Sequence, residues 1–300
     1  SPKWKAILRP YQKNGVRWAL NLYYNHFGGC LADDMGLGKT VQAIAALCSR
    51  KKHTKLPDLI VAPKIVLYNW FNELEKFAPN LNLVLAYGDF DYQRLKEENV
   101  IYLTTYDTLF RHNEAFSGIG YDTVIIDETQ TVKNYHTKRY QALKRLQAKF
   151  MLALSGTPIE NNIEELWSLF NLLNPGMLGN HSSFIKTFAT VSTDERSMGR
   201  LKKIISPFLL RRTKDTVLND LPPKEESRIY CEMAEEQRVL YDTLLASARR
   251  EIERKPSRYQ VKDNATILQA LLYLRETCSD PALLPPKLRS AVPCDSCKLE

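Results

Sequence analysis

Six short apolar runs, separated by segments with the spacing of amphipathic helices, constrain the fold of this chain more than any other feature. The runs are rich in branched residues and are bounded by turn residues or polar stretches; they cover residues 29–32, 59–62, 83–86, 101–104, 124–127 and 151–154. Helical patterns lie between several of them, for example at 40–49, 66–77 and 135–147. Such alternation is typical of a parallel sheet covered on both faces. The sequence therefore predicts an α/β fold whose chemistry lies in the loops that follow the strands.

Helical patterns also precede and follow this array. Residues 4–27 have helical spacing that is interrupted only by Pro10. Beyond Pro175 the pattern predicts helices and one extended segment, in the order 182–188, 197–205, 226–233 (extended), 235–254 and 265–278. The stretch Leu221-Pro-Pro-Lys224 is the candidate domain boundary. We therefore expect two domains, residues 1–222 and 223–300.

Composition favours a globular protein that works inside a cell. Of the 300 residues, 44% are hydrophobic, and no apolar run reaches the length of about eighteen that a membrane span needs. The six cysteines are scattered and are predicted to be reduced; Cys294 and Cys297 have a zinc-ligand spacing, but no second pair follows them. The net charge of +8 suits a polyanionic partner, and equally a solvated basic surface.

A phosphate-binding loop is predicted at residues 35–40. This segment follows an apolar run, opens a helix, and reads Met35-Gly36-Leu37-Gly38-Lys39-Thr40. Glycines there let backbone N–H groups approach phosphates, and the start of a helix adds positive potential. Lys39 is suited to reach the outer phosphates and Thr40 to bind magnesium. The strict pattern has glycine where this chain has Asp33, so a glycine-rich turn is the alternative.

Two acids, Asp127 and Glu128, end a later apolar run. A magnesium-nucleotide site needs one carboxylate near the metal, for which Asp127 is suited, and another to orient the attacking water, for which Glu128 is suited. In isolation such a pair is more often a simple helix cap. Its position about ninety residues after the phosphate loop, in the same array of strands and helices, favours the catalytic interpretation.

A third element, Leu154-Ser155-Gly156-Thr157-Pro158, again follows an apolar run. Its hydroxyl groups are suited to sense a phosphate or its metal. A plain turn explains the same residues equally well.

Taken in order, these segments resemble the Swi/Snf family within helicase superfamily two, from Leu8 to about Leu284. The first motifs are Leu8-Arg-Pro-Tyr-Gln12 with Gly15 and Trp18, and the phosphate loop 32–40, in which Asp33 is usual for the family. The next are Ile60-Val-Ala-Pro63 with Asn69-Trp70, Thr104-Thr105-Tyr106, and Asp127-Glu-Thr-Gln130 with Lys133-Asn134; Thr129 is a mild departure. Residues 154–175, 208–214 and 221–224 match the end of the family's first lobe, and 274–281 the stretch before its second.

This resemblance implies a RecA-like, three-layer domain with a mainly parallel sheet, which binds ATP and magnesium and moves along double-stranded DNA. The residues implied to bind ATP are Gln12, which would read adenine, and Met35, Gly36, Leu37, Gly38, Lys39 and Thr40. Thr40 and Asp127 would hold the metal, and Lys39, Asp127 and Glu128 would be catalytic. Gln130, Ser155 and Thr157 would couple nucleotide to movement. Contacts to the DNA backbone would come from Pro63, Lys64, Thr104, Thr105, Tyr106, Lys133 and Asn134.

The family also implies a second lobe beyond Glu300 that supplies an arginine finger. We therefore expect residues 1–300 to be a monomer that binds magnesium-ATP but hydrolyses it hardly at all. The complete motor would remodel or displace a protein complex bound to DNA. The lack of long insertions and of a chromatin-reading module suggests a bacterial member, located in the cytoplasm with the nucleoid; a eukaryotic member would be nuclear.

Two other functions stay open at this point: an RNA helicase of the same superfamily, and a DNA-binding module whose ATP site has decayed. The residues Lys39, Asp127 and Glu128 argue against decay. Arg211 and Arg212 invite a catalytic interpretation, but a bracing role where the chain leaves the first lobe is preferred. Trp70 and Trp167 are predicted to pack in the core rather than to stack on bases.

Overall fold

The computed structural model describes residues 7–50, 54–132, 134–156, 163–188, 195–217, 230–253 and 260–289 of the protein. The chain divides into two compact units, Ser1–Leu221 and Pro222–Glu300. The division falls in the proline stretch that was predicted as a domain boundary, although residues 218–229 themselves lie outside the described residues. The first unit contains the sheet, and the second contains two long helices.

Seven parallel strands form one sheet in the order β3-β4-β2-β5-β6-β1-β7. Their bounds are β1 (Gly29–Leu31), β2 (Asp58–Ala62), β3 (Asn82–Leu85), β4 (Val100–Thr105), β5 (Gly120–Ile126), β6 (Gln147–Leu154) and β7 (Leu209–Leu210). Six of these strands correspond to the six apolar runs, and the predicted RecA-like α/β fold is confirmed. The seventh, β7, was not predicted because two residues are too few to show a period.

The helices of the first unit are α1 (Pro10–Tyr24), α2 (Lys39–Ser49), α3 (Lys64–Phe77), α4 (Tyr106–Arg111), α5 (Asn113–Ser117), α6 (Lys138–Lys144), α7 (Ile163–Leu173), α8 (His181–Phe188), α9 (Glu195–Ile205) and α10 (Lys214–Val217). Short 3-10 helices lie at Tyr92–Lys96, Thr129–Val132 and Ser206–Phe208. The second unit has α11 (Glu235–Glu253), α12 (Gln260–Ser279) and a 3-10 turn at Pro281–Leu283.

Helices cover both faces of the sheet. Leu59 and Val61 of β2 point to the face covered by α4 to α7, whereas Ile60 and Ala62 point to the face covered by α1, α2 and α3. All four side chains have no exposed surface. A strand buried on both faces needs apolar residues at every position, which is why β2 reads as a continuous apolar run.

Three predicted elements differ from the structure. Pro10 does not interrupt a helix but begins α1, because its missing N–H group is one that a first helical residue leaves unpaired in any case. The helix predicted at 135–147 is only α6, since the chain turns at 145–146 and enters β6 at Gln147. The extended segment predicted at 226–233 has no strand over 230–233, and its remainder lies outside the described residues.

The second unit consists of α11 packed against α12. Gln237 is buried on α11 and donates from its amide Nε2 to the carbonyl oxygen of Thr277 at 2.6 Å, which satisfies a polar group inside the helix pair. Among the described residues of the protein, no helix combines the length and the apolar character needed to cross a membrane.

Candidate functional site

The predicted motifs meet on the carboxyl side of the sheet, where the parallel strands end. Strand register places Leu31 opposite Leu154, and Val61 opposite Ile126. The ladder continues one residue further: the amide of Asp127 donates to the carbonyl of Val61 at 2.9 Å, and that of Ser155 to Leu31 at 3.1 Å. Residues that follow β1, β5 and β6 are therefore neighbours, although the sequence separates them widely.

The phosphate loop turns sharply between β1 and α2. Gly36 and Gly38 have φ of 87° and 75°, a conformation that glycine adopts without steric cost. A Cβ at Gly38 would lie 2.6 Å from Nε2 of Gln12, so a larger residue there would also displace the Gln12 side chain. Tyr11 and Gln12 of α1 both donate to the carbonyl of the buried Leu37 at 3.2 Å. The predicted adenine-reading residue thus lies against the loop and holds it.

Lys39 begins α2, and its ammonium group lies within the loop. It donates to the carbonyl oxygens of Asp33 at 2.7 Å and Asp34 at 3.2 Å. Burial lowers the pKa of Lys39, and the neighbouring carboxylates of Asp33, Glu128, Asp127 and Asp34 act in the opposite direction. Because β6 pairs with both β1 and β5, the phosphate loop after β1 and the acid pair after β5 lie at the same edge of the sheet.

Asp127 accepts three hydrogen bonds, in addition to the one that its backbone amide donates to Val61. Its carboxylate accepts from the indole N–H of Trp70 at 2.7 Å and from the amide of Glu128 at 2.9 Å, and its carbonyl accepts from the hydroxyl of Tyr106. Burial raises the pKa of Asp127, while the bond from Trp70 lowers it. Trp70 was predicted only to pack, and it does pack; the need of a buried indole N–H for an acceptor was the signal for the second role.

Glu128 has a left-handed backbone, with φ of 52°, which is strained for a residue with a side chain. Such strain is concentrated at functional sites, where it aims a particular group. The side-chain amide Nε2 of Gln130 donates to the carboxylate of Glu128, so two residues predicted for hydrolysis and coupling are in direct contact.

The third motif packs against the phosphate loop. Ser155 is buried at the end of β6, and a Cβ at Gly156 would lie 3.0 Å from Cγ of Met35 and 3.7 Å from Nζ of Lys39. Ser155 and Met35 therefore belong to the same site as Lys39. Two residues predicted for coupling and DNA contact, Thr157 and Lys133, lie outside the described residues.

The donors around the loop fit a magnesium ion bound together with phosphates. Asp127 supplies carboxylate oxygen, and Thr40 stands in the first turn of α2 with a partly exposed side chain. Within the described part of the chain, no group of three histidine, cysteine or acidic residues could hold a metal alone. Magnesium at nucleotide sites takes one or two protein oxygens and completes its shell with phosphates and water, so Thr40 and Asp127 suit it.

A buried ion pair between Asp33 and Arg212 stabilises the phosphate loop. It was not predicted from the sequence. The fully buried carboxylate of Asp33 accepts from Nε of Arg212 at 2.9 Å and also from its Nη2. The same guanidinium donates to Oε1 of Gln42 at 2.8 Å and to the carbonyl of Tyr11. Arg212 thus braces α1, α2 and the phosphate loop, which agrees with the bracing role preferred over a catalytic one.

The predicted DNA contacts divide into exposed and buried residues. Lys64, which follows the N-cap Pro63, and Asn134 are exposed. Thr104 donates to the carbonyl of Ala86 at 2.8 Å, and Thr105 caps α4.

The side chains of Thr104, Thr105 and Tyr106 are buried. They shape the loop, because their polar groups already have partners inside the protein. The contact with DNA that the motif predicts at these three positions stays a prediction.

A basic cleft of about 580 Å³ lies between α4, α5 and α6, close along the chain to Tyr106 and Asn134. Arg111, Lys138 and Arg145 line it, and none of the three forms an ion pair with a described residue. The cleft also contains two histidines and a single acid, His112, His136 and Glu114. Such a surface attracts polyanions.

Comparison with known proteins gives a consistent result. The SNF2-related domain matches residues 11–283. The solved structure of the Sulfolobus solfataricus SWI2/SNF2 ATPase core in complex with dsDNA is 42% identical, with a TM-score of 0.69, over 95% of this chain and 61% of that one.

Two curated relatives are much longer than this chain. The uncharacterized ATP-dependent helicase MG018 of Mycoplasma genitalium is 42% identical over 91% of this chain and 26% of its own length. The TATA-binding protein-associated factor MOT1 of Saccharomyces cerevisiae is 36% identical over 93% of this chain and 17% of its own length. The chain therefore spans about a quarter or less of these relatives.

Proposed function

Because the chain belongs to the family of SNF2-related domains, as its motifs predicted, we propose that it is the ATP-binding lobe of a motor ATPase that moves along double-stranded DNA. The observation that carries this proposal is that the phosphate loop, which follows β1, and the acid pair, which follows β5, lie at the same edge of one parallel sheet. An acid pair that merely capped a helix would have no reason to lie beside a phosphate loop.

Each residue of the site has a distinct part in this proposal. Lys39 binds the outer phosphates, which replace the carbonyl oxygens of Asp33 and Asp34 as its partners. Thr40 and Asp127 would hold magnesium, which would neutralise charge on the phosphates. Glu128 orients the attacking water, and its strained backbone fixes the direction of the carboxylate.

Duplex DNA is the proposed track. Lys64, Asn134 and the basic cleft present cations and polar groups that suit phosphates, and contacts to the backbone let a protein bind without reading sequence. A similar solved ATPase core is in complex with dsDNA. One relative is named as a factor associated with a DNA-binding protein, which supports displacement or remodelling of DNA-bound protein as the task.

An RNA helicase of the same superfamily is the alternative, and one experiment separates the two. ATP hydrolysis by the full-length motor, of which this chain is proposed to be the ATP-binding lobe, is measured with duplex DNA, with duplex RNA and without nucleic acid. Stimulation by DNA alone is expected. Greater stimulation by RNA would favour the helicase and contradict the proposal.

Two variants test the ATP site in the same assay. Lys39→Ala should abolish turnover, because the outer phosphates lose their cation. Glu128→Gln should still bind ATP but hydrolyse it about 10² to 10⁴ times more slowly, because the shape is kept and the charge that orients water is lost. Lys202→Ala, at an exposed position of α9, is the control. Normal turnover by Lys39→Ala would refute the assignment.

A further inference from the structure

Two hydrogen bonds attach Asp127 to helices on opposite faces of the sheet. From the face covered by α1 to α3, Trp70 donates its indole N–H to the carboxylate at 2.7 Å. From the other face, Tyr106 donates its hydroxyl to the carbonyl of the same residue. Both aromatic side chains are almost completely buried. Asp127 is thus fixed at its side chain by one helix and at its backbone by another.

Both helices begin at motifs that are predicted to contact DNA. In α3, the exposed Lys64 is the first residue and Trp70 lies six residues later, about 9 Å along the axis. Tyr106 is itself the first residue of α4, next to its cap Thr105. A contact at the start of α3 is therefore about two turns from a hydrogen bond to Asp127, and a contact at the start of α4 is at the residue that forms one.

The two helices are stiff enough to transmit a displacement. On α3, the buried residues Leu67, Trp70 and Leu74 pack into the core on one face of the sheet. Leu109 of α4 packs into the core on the other face. Because interiors are packed at nearly crystalline density, a helix that shifts at its start also moves the side chains it has buried.

We propose that Trp70 and Tyr106 are positioning residues that link contact with DNA at the starts of α3 and α4 to the orientation of Asp127. This inference rests on the proposed function, since it gives a route by which duplex DNA stimulates ATP hydrolysis. Two sites are coupled when both bias one packed element, and here each helix touches both. If Trp70 were only a core residue, its N–H would need an acceptor, but not this carboxylate.

The chain offers matched controls. Trp18 donates its indole N–H to the carbonyl of Pro207 at 2.8 Å, and Trp167 donates to the carbonyl of Gly179 at 3.1 Å. Trp70→Phe, Trp18→Phe and Trp167→Phe each remove one indole N–H from a mostly apolar environment. Only the first changes a bond to Asp127. Tyr106→Phe removes the other hydrogen bond to Asp127, the one that comes from the opposite face of the sheet, and is a smaller change.

The test uses the full-length motor and four measurements: the ratio of ATPase rates with and without duplex DNA, the Mg²⁺ concentration needed to bind a fluorescent ATP analogue, the affinity for DNA, and the Tm. In Trp70→Phe the ratio should fall about tenfold, the effect expected of one hydrogen bond to a charged group. The Mg²⁺ requirement should rise by a similar factor, and DNA affinity should stay within about twofold. Tyr106→Phe should change the ratio in the same direction by less.

Three results would overturn the inference: a ratio in Trp70→Phe equal to that in Trp167→Phe, a fall of basal and stimulated rates by the same factor, or a loss of DNA affinity that explains the lower ratio. If Trp70→Phe lowers the Tm more than the controls, Tyr106→Phe decides by the same criteria. The proposed function fails separately, when the unchanged full-length motor shows no stimulation by duplex DNA.

Discussion

Asp33 shows how much the role of one residue depends on its partner. In the general pattern of phosphate loops this position is glycine, so the acid looks like a defect. In the structure its buried carboxylate pairs with Arg212, and the same guanidinium reaches Gln42 on α2. The acid is therefore part of the support of the loop.

Breaking this pair should destabilise the protein strongly. Arg212→Met leaves the carboxylate of Asp33 buried without its cation, which costs roughly 3–5 kcal/mol of unfolding free energy. Urea unfolding followed by circular dichroism measures the change. Arg139→Met is the matched control, because Arg139 pairs with Asp107 at 2.7 Å but both side chains are substantially exposed, so its loss should cost about 0–1 kcal/mol. If both variants lost the same unfolding free energy, the buried pair would contribute no more to stability than an exposed one.

The sequence predicted the residues of the site, but not the residues that hold them in place. Lys39, Asp127 and Glu128 were predictable because each follows an apolar run and belongs to a short motif. The bond from Trp70 to Asp127 joins residues 57 apart, and the pair of Arg212 with Asp33 joins residues 179 apart. No local pattern records such contacts, because the fold creates them.

At the scale of elements, the basic cleft is built from three short helices, α4, α5 and α6. Two of them, α4 and α5, were not predicted, because five or six residues are too few to show a helical period. They place Arg111 across from Lys138 and Arg145. Cations that line one cleft can bind successive phosphates of a nucleic-acid backbone.

Removing two cations from the cleft should weaken DNA binding in a way that salt reveals. For Lys138→Gln with Arg145→Gln, the slope of log K against log salt should decrease by about one for each phosphate that the variant no longer binds, because fewer counterions are released. Affinity should fall equally for all base sequences. The control is Lys202→Gln with Lys203→Gln on α9, where both side chains are exposed. An unchanged slope in the cleft variant would exclude this surface from the DNA path.

In the first unit as a whole, the two edges of the sheet have different roles, one functional and one structural. The carboxyl side carries the candidate site, and the amino side carries a buried network in which Arg50 pairs with Asp58 at 2.5 Å and with Asp122 at 3.3 Å. Tyr23 of α1 donates to the same Asp122 at 2.9 Å. Apolar runs predicted the layers of the fold, but they gave no sign of this network, because its charged members lie at or beyond the limits of those runs.

The network should make the stability of the protein fall at alkaline pH. Burial, with the hydrogen bond and the charge of Asp122, raises the pKa of Tyr23 from 10.0 to about 12. The folded protein therefore keeps a proton that the unfolded chain releases. The resulting stability is complete below about pH 10 and is lost as the pH rises towards about 12.

Tyr23→Phe should reduce this dependence, because phenylalanine has no proton to lose. Unfolding free energies measured between about pH 9 and 12 should fall less steeply than in the unchanged protein. Part of the slope should persist, since burial also raises the pKa of the Cys30 thiol to about 12. Tyr68→Phe, at an exposed position of α3, should leave the slope unchanged. If Tyr23→Phe and Tyr68→Phe gave the same slope, the proton on Tyr23 would not be linked to folding, and the network would have to stabilise the sheet through Arg50 alone.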